Sequence, residues 1–105
     1  MVSRQSEILE IAKRYIEHLR KNHIDVERAY LYGSYASGKA HEDSDIDIVV
    51  VSRQFTKSRY EDSTQIAKLR RRIDLRIQPL AYNPDDFIMD YVIPYEAMTH
   101  GIRIA

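Results

Sequence analysis

Cysteine is absent from this chain of 105 residues. There is therefore neither a disulfide framework nor a thiolate zinc site, and His18, His23, His41 and His100 lie too far apart for the usual spacing of metal ligands. Net charge is missing as well: sixteen basic residues offset sixteen acidic ones. No overall positive field exists to hold a long phosphate backbone by counterion release, so direct nucleic-acid binding is not expected. Long apolar runs are also lacking. Nothing approaches the roughly twenty apolar residues that cross a bilayer, and the stretch from Met1 to Glu7 has no apolar signal core. These absences predict no membrane association and a cytoplasmic location. No internal repeat, linker or low-complexity segment interrupts the chain.

What is present has the balance of a folded domain: apolar residues make up 44% and charged residues 30%. A chain of this size buries roughly two thirds of the surface its unfolded form exposes, enough for one core. A single domain over residues 1–105 is expected.

Periodicity divides the chain. Ile8, Ile11, Ala12, Tyr15, Ile16 and Leu19 recur at three- and four-residue spacing, with Arg4, Lys13, Glu17 and Arg20 off that face, predicting an amphipathic helix from 7 to about 23. Ala29-Tyr30-Leu31-Tyr32 reads as a strand closed by Gly33, and Ser34-Tyr35-Ala36-Ser37-Gly38 as a short helix. The β-branched run 46–52 predicts a central strand buried on both faces. Ser58-Arg59-Tyr60-Glu61 has the capping-box pattern and opens a helix to about 71. Alternation over 73–78 predicts a third strand that stops at Pro79, which has no N–H to give a ladder. Asn83-Pro84-Asp85-Asp86 predicts a helix start, and 94–100 a last helix closed by Gly101 as the residue past its C-terminus, with a terminal strand after it. The fold class expected is α/β (α+β), a small mixed sheet with flanking helices.

Asp45 and Asp47 stand two residues apart at the head of the central strand, so both project from one face, about 6.5 Å apart along the chain. Two carboxylates that converge repel unless a cation sits between them, and magnesium, which prefers oxygen ligands, is the natural one. Asp74 on the third strand reaches the same face if the two strands are neighbours. Three acids would then frame two ions, the arrangement that activates the attacking oxygen and stabilises the leaving oxygen of an in-line phosphoryl displacement. Gly33-Ser34 supplies the complement, a bare backbone and a helix start that accept phosphate.

Taken together, Leu31-Tyr32-Gly33-Ser34-Tyr35-Ala36-Ser37-Gly38 and Asp43-Ser44-Asp45-Ile46-Asp47 resemble the signature of the polymerase-beta-like nucleotidyltransferase superfamily. More narrowly, the chain looks like the minimal nucleotidyltransferases of prokaryotes over nearly all its length. The resemblance implies a polymerase-beta-like fold, Asp45, Asp47 and Asp74 as catalytic and metal-binding residues, Asp74 being the base-side ligand, and Gly33 and Ser34 as holders of nucleotide phosphate. It implies two magnesium ions and ATP as donor. It further implies a small all-helical HEPN protein as partner, the nucleotidyltransferase acting as antitoxin by adding AMP to a tyrosine of the toxin.

The chain departs from that family at two places, Tyr35 and Ser37, where many relatives carry arginine. Lys39 and Arg76 are the candidates to replace those phosphate contacts, and Arg70, Arg71 and Arg72 read as a solvent-facing helix end without a catalytic role. The tyrosines are expected mainly in the core and at its rim, and His41 is given no role. Two other functions stay open from the sequence. One is a binding module that neutralises its partner by occlusion without chemistry. The other is transfer to a small molecule such as an aminoglycoside.

Overall fold

The computed structural model describes residues 5–41 and 44–105. Arg4, from the first helical pattern, and Asp43, from the acidic motif, lie outside them. The elements are helix α1 (Gln5–Lys21), strand β1 (Arg28–Tyr32), helix α2 (Ser34–Ser37), strand β2 (Ile46–Val51), helix α3 (Arg59–Ala67) continued by a 3-10 turn (Lys68–Arg72), strand β3 (Ile77–Tyr82), helix α4 (Val92–His100) and strand β4 (Ile102–Arg103). The sheet has the order β3-β2-β1-β4. β1 runs antiparallel to β2 and β4, and β2 runs parallel to β3, so the sheet is mixed as expected.

β2 is the apolar spine because both of its faces are covered. Ile46, Ile48 and Val50 join one core with Ile8, Ala12, Tyr15, Ile16 and Leu19 of α1 and Ile66 of α3. Val49 and Val51 join the opposite core with Tyr30, Tyr82, Phe87 and Ala97, the last from α4. The Tyr15 hydroxyl donates to the Ile66 carbonyl at 2.6 Å and ties α1 to α3 across the first layer. Ser58 accepts a hydrogen bond from the Glu61 amide at 3.1 Å, so the serine half of the predicted capping box forms, while the Glu61 carboxylate receives the Ser58 hydroxyl at 3.4 Å instead of its backbone amide.

Two expectations need correction. The strand predicted over 73–78 begins at Ile77 and runs through Pro79 to Tyr82. β3 is a sheet edge, and the outward-facing donors along it are those of residues 77, 79 and 81. The Ile77 amide donates to the Asp74 carbonyl, the Ala81 amide donates to the Ser63 hydroxyl at 2.9 Å, and Pro79 has no donor to leave unpaired. The helix predicted at Asn83 is a single turn, in which the Asn83 carboxamide oxygen accepts from the Asp85 amide at 2.9 Å and its amide donates to the Phe55 carbonyl. The chain then leaves helical geometry to bury Phe87, stacked on Tyr30 with ring centroids 5.5 Å apart. Gly101 closes α4 as the residue past its C-terminus, as expected, at φ −83°. Glycine stands there because a Cβ would strike the Ala97 carbonyl oxygen and crowd that of Leu31 at 2.8 Å.

Candidate active site

The two cores leave one end of the sheet open on the face that carries α4. There the pairing register sets Tyr32 of β1, Asp47 of β2 and Gln78 of β3 side by side in one row. Registered neighbours share a sheet face.

β1 ends on Tyr32, and the chain turns through Gly33 into α2. Gly33 adopts φ 76° and ψ −150°, a region essentially confined to glycine. A Cβ on it would collide with Oδ2 of Asp47 and come within 3.3 Å of the carboxyl carbon. The Asp47 carboxylate therefore lies against the bare backbone of the turn. The Gly33 carbonyl receives the Ala36 and Ser37 amides, and the Ser34 carbonyl receives the Lys39 amide and the Ser37 hydroxyl, which fixes α2 as a tight loop. Gly38, left-handed at φ 79° and ψ 12°, turns the chain back toward the acids.

Asp47 is half-buried and Asp45, one residue before the strand, is exposed. Among the described residues neither carboxylate has a hydrogen-bond or ion-pair partner. Burial first, and the neighbouring Asp45 charge second, push the Asp47 carboxyl above the usual carboxylate range. Burial, with the Asp47 charge adding to it, also raises the Tyr32 phenol. An uncompensated acid pressed against a glycine turn, with a second acid two residues before it, is a donor set suited to a hard cation, and magnesium typically takes one or two carboxylates together with phosphate oxygens.

Asp74 stands elsewhere than expected. It falls in the turn between the 3-10 segment and β3, not on a strand. Its Oδ1 accepts from the Arg76 amide at 2.9 Å and from Arg76 Nε at 3.1 Å, while Oδ2 meets Arg76 Nη2 at 2.9 Å. This bidentate grip, chiefly its side-chain hydrogen bonds, holds the Asp74 carboxyl below the usual range. No group of three or more histidine, cysteine or acidic side chains converges as a metal cluster among the described residues.

Arg76 in turn extends Nη1 to the Tyr35 hydroxyl at 3.5 Å, and that hydroxyl donates to the His41 carbonyl at 3.2 Å. The guanidinium is thus brought beside α2, where the sequence lacks arginine. Arg70 donates to the Ile77 carbonyl and is structural. The structure therefore brings together Gly33, Ser34, Asp45 and Asp47 and sets Asp74 on Arg76. Sequence reasoning missed Gln78, whose signal is the strand register that sets it beside Asp47.

A family model for the nucleotidyltransferase domain matches residues 10–98. The chain belongs to the nucleotidyltransferase domain family. Solved structures agree on its fold. A crystal structure of a candidate nucleotidyltransferase from Sulfolobus solfataricus has a TM-score of 0.67 at 22% identity, over 94% of this chain and 80% of that one. A mutant of the toxin–antitoxin pair MntA–HepT, with two aspartates two residues apart changed to glutamate, gives 0.57 at 22%, over 88% and 70%. A toxin–antitoxin structure with AMP-PNP gives 0.59 at 24%, over 89% and 72%. No protein of curated function matches the sequence. The small mixed sheet with flanking helices is the polymerase-beta-like nucleotidyltransferase fold, and no helix of the described residues is long and apolar enough to cross a membrane.

Proposed function

We propose that this nucleotidyltransferase moves AMP from ATP, with magnesium, to a hydroxyl of a protein partner, a tyrosine of a HEPN-type helical toxin, and thereby acts as its antitoxin. The observation that carries the reading is the contact between the Asp47 carboxylate and the Gly33 backbone, with Asp45 one step away. Phosphate recognition and acid pair then occupy one spot.

In this reading the acceptor oxygen forms a bond to the α-phosphorus, the bond from that phosphorus to the pyrophosphate oxygen breaks, and the acceptor proton leaves to a base. When bound, magnesium would neutralise the phosphates and stabilise the charge that develops on the leaving pyrophosphate oxygen. Asp45 and Asp47 hold it, the Gly33-Ser34 turn receives phosphate through backbone and hydroxyl donors, and Arg76 supplies positive charge beside Tyr35. Asp74 enters as the residue that aims Arg76. The toxin–antitoxin neighbours, one of them with AMP-PNP, support the partner and the nucleotide class.

The test combines the protein, its partner, ATP and magnesium, and looks for the mass of an AMP unit on the partner. The expected result is an adduct that Asp45→Asn with Asp47→Asn abolishes, while partner binding persists. A second reading, neutralisation by occlusion alone, draws on the scarcity of cations around α2, where Tyr35 and Ser37 stand. Unchanged neutralisation by the double variant would establish it and sink catalysis.

A further inference from the structure

The place beside Asp47 on the neighbouring strand is taken by Gln78. Ile77, Pro79 and Ala81 point to the opposite face and are buried, while Gln78 itself is exposed. Farther along the same face, Phe87 and Ala97 cover the sheet and pack with Tyr82. At the open end Gln78 and Asp47 stand next to each other, about 5 Å apart across the strands. An acid at this position would stand beside Asp47 and could complete a set of three, and the chain carries a neutral amide there. The carboxylate expected in that role, Asp74, is committed to Arg76.

We infer that Gln78 limits the acid pair to a single divalent cation, the one that accompanies the nucleotide phosphates. The inference rests on the proposed cation site at Asp45 and Asp47. A pair of dications about 4 Å apart needs several negative ligands between and around them. Two carboxylates and the phosphates satisfy one ion, whereas the ion on the acceptor side would find only the carbonyl oxygen of an amide. Glutamine also cannot take up the proton of an acceptor hydroxyl, since neither its oxygen nor its nitrogen is basic at neutral pH. The proton must then pass to a group outside this chain's acid set.

Electron paramagnetic resonance of the full chain with Mn2+ and AMP-PNP tests this, because two manganese ions within about 4 Å couple and a lone ion does not. The wild type should show one uncoupled ion per chain. Gln78→Glu and Gln78→Asp should each show two, with a coupled signal, and Gln78→Ala should match the wild type. Unfolding curves of the variants, recorded without metal, establish that each is folded. A coupled pair in the wild type, or a single ion in both acidic variants, overturns the assignment of Gln78 alone. No protein-bound ion in any variant overturns the acid-pair site and the inference with it.

Discussion

Gly33→Ala perturbs the fold and the site through one methyl group, and the structure separates the two effects. At φ 76° and ψ −150° an alanine carries backbone strain of about 1–3 kcal/mol. The new Cβ also meets Asp47 Oδ2 and the carboxyl carbon, so the carboxylate must rotate away from the turn. Taking about 2 kcal/mol in total, and about 4–8 °C per kcal/mol for a domain of this size, the melting temperature should fall by roughly 8–16 °C. Asp47→Ala removes the carboxyl group and leaves its Cβ at 3.4 Å from the position of the new methyl group, an ordinary contact. The double variant should therefore be less destabilised than the sum of the singles, by about 0.5–1 kcal/mol of coupling. Gly38→Ala is the control: φ is 79°, yet nothing lies within 4 Å of a Cβ. It should lose about 1–2 kcal/mol from left-handed geometry and keep its affinity for Mn2+. Thermal melts and Mn2+ titrations of the four proteins decide the matter. Additive stabilities, or a Gly38→Ala that loses manganese as strongly as Gly33→Ala, would refute the contact between turn and acid.

Two further perturbations bear on the supports of the site. Asp74 is held below its ordinary value near ~3.9, so its contribution to stability is present above that pH and disappears as pH falls through the lower folded value. Asp74→Asn should cost about 1 kcal/mol at pH 7 and flatten the acid limb of urea-denaturation profiles, whereas an unchanged limb would show that the Arg76 grip adds no stability. Ser58→Ala removes the cap of α3 and should cost about 1 kcal/mol, seen as a melting temperature about 4–8 °C lower with Mn2+ affinity intact.

The elements legible in the sequence are those fixed by local chemistry. The 3.6-residue stripe of α1, the Ser58 cap and the β-branched run of β2 each carry their own signal, and each forms. Pro79 misleads because a proline stops a strand only if its neighbour needs the missing donor. Here the outward side of β3 faces Ser63 of α3 and the turn at Asp74, so the strand continues. The dipeptide Asn83-Pro84 promises a helix for an equally local reason, but burying Phe87 against Tyr30 and Tyr82 outweighs one more turn.

The same distinction runs through the candidate site. Asp47 is readable because its geometry depends only on alternation within one strand, Asp45 because it stands two residues earlier at that strand's entrance, and Gly33 because the turn that needs it follows directly on β1. The third position depends on which residue of β3 pairs with Asp47, and a one-residue slip of register reverses every side chain. Placing the strand start at Ile77 instead of Ile73 moves Asp74 off the sheet and sets Gln78 beside Asp47. Asp74 then acts one step removed, through Arg76 to Tyr35, on the loop that lacks arginines of its own. A cation delivered from the β3 turn and a neutral residue in the strand follow from one register. The side proposed to hold nucleotide is thereby supplied with charge, and the side facing the acceptor is left without an acid.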